Sequence, residues 1–280
     1  MNAPARPVFV AGCPRSGTSP FARWLHACGL STVSDERTNE RYPAGYFEYL
    51  PMLMFHRALE RLPRGADHRI TGEPFLTAEA LQHPFVACSF ELGFEPVLRD
   101  EVDFIKYPQL ALSLDFLLER FPTAHVIGLW RNPRECFRSL LTKEFPVEMI
   151  AGAPLKAVLL WNVYAHHLTT AKRLHPERVT LVDIDAFVGD PAAGPALLGR
   201  IGRPAGDAVP IWDAIDPKLW GGRTAFRWRL AHGLIASVCR TFRGRLGPQR
   251  AALGDQRHWL RELRRLTDLP GGEAGTEQPR

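Results

Sequence analysis

An apolar run, Pro7-Val8-Phe9-Val10-Ala11, and a segment with Phe21, Trp24, Leu25 and Cys28 at helical spacing flank the octapeptide Gly12-Cys13-Pro14-Arg15-Ser16-Gly17-Thr18-Ser19. Glycines in such a loop let backbone N–H groups turn inward, and the start of the following helix adds partial positive charge. The loop therefore suits an anion, most often a phosphate. Its glycine spacing fits a Walker A loop, GxxxxGK[ST], but Thr18 stands where the lysine that neutralises the β- and γ-phosphates of ATP belongs. That weighs against ATP or GTP. A cysteine-dependent phosphatase would need arginine six positions after Cys13, and Ser19 stands there. What remains is a phosphate loop whose cation, Arg15, sits inside the loop rather than at its end.

A second element points the same way. Trp130-Arg131-Asn132-Pro133 follows an apolar run, and Ser139 lies eight residues beyond Arg131. The spacing puts arginine at a strand end and serine about a turn and a half into the next helix, so both can face one phosphate. Charge-assisted hydrogen bonds of this kind are worth about 1.5 to 3 kcal/mol each. Lys106 ends a further short apolar run, and ligands of parallel sheets gather at the carboxyl ends of strands, so it should point into the same cleft.

Pro14-Arg15-Ser16-Gly17-Thr18-Ser19 resembles the 5′-phosphosulfate loop of sulfotransferases that use 3′-phosphoadenosine 5′-phosphosulfate (PAPS), where the pattern is P-[KR]-[ST]-G-[ST]-[ST]. Arg131 and Ser139 resemble the 3′-phosphate site of the same family. Three further stretches are similar to its bacterial branch: Ala44-Gly45-Tyr46-Phe47-Glu48 to G-Y-[FW]-E, Phe104-Ile105-Lys106-Tyr107-Pro108-Gln109 to K-D-P-R, and Trp161 to Leu174 with Val179 to Asp183 to the late helix and strand. The resemblance covers about residues 7 to 203. It implies in-line transfer of a sulfuryl group from PAPS to a hydroxyl on a small molecule, sugar or lipid, with 3′,5′-adenosine bisphosphate (PAP) leaving and no metal required.

On the resemblance, Arg15 and the amides of Ser16, Gly17, Thr18 and Ser19 stabilise the leaving 5′-phosphate, Arg131 and Ser139 hold the 3′-phosphate, and Lys106 assists the sulfuryl oxygens. Tyr107 and Gln109 replace the Asp and Arg of the segment around that lysine. The K-x-H histidine of cytosolic relatives is absent after Lys106. For the general base, Glu48 is the first candidate, Asp35 or Glu36 the second and His56 the third. Such a carboxylate works best with its pKa raised by burial.

These residues need a scaffold, and the chain supplies one. Short strands at Pro7–Gly12, Val102–Ile105, Ala124–Trp130 and Val179–Val182 alternate with helical segments, the pattern of an α/β, P-loop-like parallel sheet flanked by helices, with a helical C-terminal extension. Phe47 to Leu62 reads as a helix. Leu110, Leu114, Leu117, Leu118 and Phe121 share the face of another, and Val158 to Leu174 and about 250 to 266 are two more. Residues 63 to 100 carry no clear pattern. The 280 residues, 45% apolar and 23% charged, fit one sizeable core: a domain over 1–224, a basic helical extension over 225–268 and a tail without fixed structure over 269–280.

Net charge is +5, but residues 218 to 280 hold 13 Lys/Arg against 5 Asp/Glu, so the basic surplus belongs to the C-terminal fifth. That distribution argues against nucleic acid as partner of the body. It leaves the helix from Ala225 to Arg245, and residues 225–265 more widely, as a contact for an anionic membrane surface or an acidic carrier, or as an ordinary packed helix with a solvated charged face. A Gly-rich basic stretch, Asp216 to Arg223, could close over the nucleotide. Five separated cysteines without a CxxC pair suggest free thiols, and the absence of an apolar leader or span suggests the cytoplasm. Two rivals remain: a P-loop nucleotide kinase, which would require ATP and Mg²⁺, and a non-catalytic nucleotide-binding protein that docks through its basic helices on membrane or nucleic acid.

Overall fold

The computed structural model describes residues 6–33, 50–60, 80–99, 101–143, 153–211 and 256–269. Four strands, β1 (Val8–Gly12), β2 (Phe104–Lys106), β3 (His125–Trp130) and β4 (Val179–Asp183), form one parallel sheet in the order β2-β1-β3-β4. Every residue of β1, β2 and β3 is buried, as expected of parallel strands covered on both faces. Successive side chains alternate between two cores. Phe9, Ala11, Ile105, Val126, Val179 and Leu181 belong to one, and Val8, Val10, Phe104, Ile127, Leu129 and Val182 to the other.

The first core lies under α2 (Leu50–Glu60), α3 (Pro84–Leu98), a 3-10 turn over Pro108–Ser113 with α4 (Leu114–Arg120), α6 (Ala153–Leu174) and α9 (Gln256–Leu266). There the ring of Phe9 meets Phe94 and Phe121 edge-on at 5.8 and 5.3 Å, contacts worth about 0.5–1.5 kcal/mol each beyond their buried area. The second core lies under α1 (Thr18–Ala27), α7 (Ile184–Gly189) and α8 (Ala193–Arg200), where the rings of Phe21, Trp24 and Phe187 meet at tilted and edge-on angles. The helix after β3 is α5 (Pro133–Lys143).

Two sequence expectations change in detail. The run from Leu110 to Phe121 is not one helix. It is a 3-10 segment followed by α4, because Ser113 takes φ −130° and interrupts the turn, although Leu110, Leu114, Leu117, Leu118 and Phe121 are all buried as its spacing required. The patternless stretch before residue 100 contains α3. Phe85, Leu92 and Leu98 on its open side blur the apolar stripe, and Gly93 and Pro96 lie inside it. Gly93 is tolerated there because a Cβ would press on Met52 Sδ at 2.9 Å, so α2 and α3 need the close approach.

The strand order reverses at β1: the chain moves from β1 outward to β2, then returns past β1 to β3 and β4. The carboxyl ends of β1 and β3 flank that switch point, where parallel sheets open a crevice for ligands. At the far edge, α9 packs on α6 through Trp259 and Leu263. The segment after it pairs with β4: Asp268 N–H donates to Leu181 O at 3.2 Å, and Leu181 N–H donates to Asp268 Oδ2 at 3.0 Å. Lys172 and Arg200 both bind the Asp268 carboxylate, and Leu269 is buried beside them. The boundary anticipated at 224/225, the helix from Ala225 to Arg245, the Asp216 to Arg223 stretch and residues 270–280 lie outside the described residues. No helix among those described is long and apolar enough to cross a membrane.

Candidate active site

The last residue of β1 is glycine because nothing larger fits: a Cβ at Gly12 would lie 2.3 Å from Leu129 O of β3. The loop then folds back on itself, Ser16 N–H donating to Cys13 O at 3.0 Å and the buried Ser16 hydroxyl donating to Leu129 O at 3.3 Å. Gly17 caps α1 with φ 87°, a conformation that favours glycine. No side chain caps α1, and its first turn carries no acidic residue. The helix N-terminus thus carries its partial positive charge at the switch point with no acidic residue in its own first turn to offset it.

Arg15 is the only non-glycine residue with positive φ among those described, at 70°. That left-handed backbone costs about 1–2 kcal/mol for an L residue. It turns the half-buried side chain toward α5, where Nε donates to Ser139 Oγ at 2.9 Å. The fold therefore joins the two sequence elements across 124 residues, through Arg15 and Ser139. Lys106, 2% exposed at the end of β2, belongs to the face that carries α1, and its Nζ donates to Ser19 Oγ at 3.0 Å in the first turn of that helix. A charged ammonium this deep is costly unless it has partners.

Arg131 follows β3 as the spacing required, and it is buried. Its backbone carbonyl accepts from Trp161 Nε1 at 3.2 Å, and the Cys136 thiol bridges Arg131 O and Arg15 O at 3.9 and 3.8 Å. Its Nε donates to Asp185 Oδ1 at 2.9 Å. Sequence reasoning set Arg131 and Ser139 to face one phosphate. The contacts in the fold are Arg131 with Asp185 on α7, and Ser139 with Arg15.

The other acidic neighbour is Asp183, which ends β4 in register with Trp130 and accepts from Asp185 N–H at 3.1 Å as the cap of α7. Burial, then the charge of Asp185, pushes its carboxyl up to about 6 against the lowering pull of backbone hydrogen bonds. No site role was assigned to Asp183, Asp185, Cys136 or Trp161 from the sequence. The Asp-x-Asp spacing at a strand end is a helix-cap signal that could have drawn attention to the first two.

Of the base candidates, Glu48, Asp35 and Glu36 lie outside the described residues, as does the Ala44 to Glu48 segment. His56 is described: it is buried on α2 with its ring 5.8 Å from that of Tyr107, the residue after Lys106. Cys13, Cys28, Cys88 and Cys136 are free thiols. Among the described residues no group of three His, Cys, Asp or Glu side chains is arranged to hold a metal ion.

A parallel four-stranded sheet flanked by helices, with a glycine-turned loop at its switch point and Arg15 and Lys106 bonded beside it, defines an α/β protein. The chain belongs to the Sulfotransferase family, whose model matches residues 7–195. Membership implies a transferase, and the family generally draws on PAPS and acts on hydroxyl-bearing acceptors. Among solved structures, the chain is similar to the sulfotransferase STF1 of Mycobacterium tuberculosis H37Rv at 16% identity and a TM-score of 0.44, over 74% of this chain and 71% of that one. No curated protein sequence matches it.

Proposed function

We propose that this protein transfers a sulfuryl group from PAPS to a hydroxyl of a small-molecule, sugar or lipid acceptor. The observation that carries the reading is the convergence of donors on one crevice: the uncapped start of α1, Arg15 held at φ 70°, and the buried Lys106 reaching the first turn of the same helix. All three supply positive charge or hydrogen-bond donors, which suits an anionic nucleotide. PAPS supplies the activated sulfur and a phosphate leaving group.

The chain's contribution is charge and position. As the acceptor oxygen bonds to sulfur, the bond from sulfur to the 5′-phosphate oxygen breaks and its electron pair stays on the phosphate. Arg15 and the amides of Ser16 to Ser19 stabilise that growing charge, and preorganised donors of this kind are worth about 3–4 kcal/mol of barrier. Lys106 meets the sulfuryl oxygens from the β2 side. Arg131 and Ser139 hold the 3′-phosphate beside β3, and the acceptor's proton passes to a base, with Glu48 the first candidate, Asp35 or Glu36 next and His56 third. The exposed arginines 257, 261, 264 and 265 of α9 are the described part of the basic surface that an acidic carrier or membrane would meet.

Titration calorimetry with PAP in metal-free buffer, paired with ATP plus Mg²⁺, tests the reading. Binding of PAP without metal is the expected result. Binding of ATP only with Mg²⁺, or of neither nucleotide, overturns it in favour of a kinase or of a docking protein.

A further inference from the structure

Arg131 is held from three elements at once. Trp161 of α6 and Cys136 of α5 fix its carbonyl, while Asp185 in the first turn of α7 takes its Nε at 2.9 Å. The side chain of Arg131 is 10% exposed and that of Asp185 35%, so the pair spans the edge of the buried region. The register of β3 on β4 sets this meeting: Trp130 lies opposite Asp183, so Arg131, the first residue after β3, and Asp185, the second after β4, come to the same corner.

We propose that Asp185 is a positioning residue for nucleotide binding, its carboxylate fixing the plane of the Arg131 guanidinium toward the 3′-phosphate. The inference rests on the reading that Arg131 receives that phosphate. A guanidinium is a planar fork of five N–H donors, and the fork matches phosphate oxygens only when its plane is set. A hydrogen bond to Nε removes rotation about the last side-chain bonds before the ligand arrives, so less freedom is lost on binding.

The same carboxylate also repels an incoming phosphate, and the two effects have opposite signs. The geometry favours positioning. The carboxylate meets the guanidinium at its Nε edge, a contact that sets the plane of the fork. At 35% exposure, the carboxylate's repulsion is also screened by water and salt.

PAP and AMP differ only in the 3′-phosphate, so the ratio of their affinities isolates this corner from the rest of the site. Calorimetric titration of both into the wild type, Arg131→Ala, Asp185→Ala and Asp185→Asn separates the possibilities. Arg131→Ala should erase most of the preference for PAP. Asp185→Ala should reduce it about 3- to 10-fold while AMP binds as in the wild type, roughly what misorienting one charge-assisted contact loses. Asp185→Asn keeps an acceptor oxygen and should retain more of the preference than alanine.

An unchanged or increased preference in both Asp185 variants, with Arg131→Ala behaving as expected, overturns the positioning role. An increase in both means that Asp185 competes with the phosphate. A preference that survives Arg131→Ala instead removes the underlying reading, and the proposal with it. Should the alanine variant fail to fold, the asparagine variant decides: a lower PAP-to-AMP ratio supports positioning, and an equal or higher one overturns it.

Discussion

Arg15 offers a test in which stability and binding separate. Its φ of 70° is a conformation that alanine tolerates poorly and glycine tolerates well. Arg15→Ala and Arg15→Gly both remove the guanidinium and its hydrogen bond to Ser139, so those losses cancel between them. What differs is the backbone: glycine relieves the left-handed strain, partly offset by the greater freedom it gives the unfolded chain. The glycine variant should therefore be the more stable by about 1 kcal/mol. In a domain of this size that is a difference of about 2–4 °C in Tm, readable by scanning calorimetry.

Binding should not follow stability. Both variants lose a cation from the crevice, and one charge-assisted contact of about 1.5–3 kcal/mol corresponds to a roughly 10- to 150-fold weaker PAP affinity. A glycine variant that gains stability over alanine yet binds PAP equally poorly would show that the loop keeps its strain to hold a guanidinium in place. Wild-type affinity in either variant would refute the assignment of Arg15. Equal Tm values in the two would refute the strain argument.

Three further outcomes follow from the same geometry. Lys106→Met keeps the length of the side chain and removes a buried charge, so turnover at saturating PAPS should fall about tenfold or more while Tm holds or rises; unchanged turnover in an initial-rate assay would detach Lys106 from the sulfuryl group. Asp183 is raised to about 6 by burial and then by Asp185, so its ionisation disfavours the fold as pH rises through 6. Asp183→Asn, which keeps an acceptor for Asp185 N–H, should stabilise at pH 8 by roughly 1–3 kcal/mol and have no such effect at pH 4, and equal effects in urea unfolding at both pH values would exclude this. His125, buried and 2.8 Å from Thr180 Oγ1, is lowered to about 4 by burial and then by Lys172 and Arg200. Stability tied to it is present above about 6.5 and lost as pH falls toward 4, so His125→Gln should flatten the acid limb of stability between those values. A variant that loses as much stability as the wild type over that range would rule this out.

The sequence by itself determined what depends on neighbours in the chain. Gly12 and Gly17 marked a turn because only glycine fits there, one against Leu129 O and the other at φ 87°. The apolar runs of β1 and β3 were legible because buried parallel strands need unbroken apolar residues, and Pro133 announced the start of α5. Family membership followed from those local pieces in the right order. The weaker pattern of α3 hid it, since its apolar residues face both inward and outward.

Tertiary structure alone decided which side chains meet. Arg15 joins Ser139 across 124 residues, Lys106 joins Ser19 across 87, and Arg131 joins Asp185 across 54. No local spacing encodes those pairs, because they arise from the order β2-β1-β3-β4, which brings the carboxyl ends of strands distant in sequence to one switch point. Asp185 shows the difference most clearly. In sequence it is a second acid in a helix cap, and only the register of β4 on β3 turns it into the partner of Arg131.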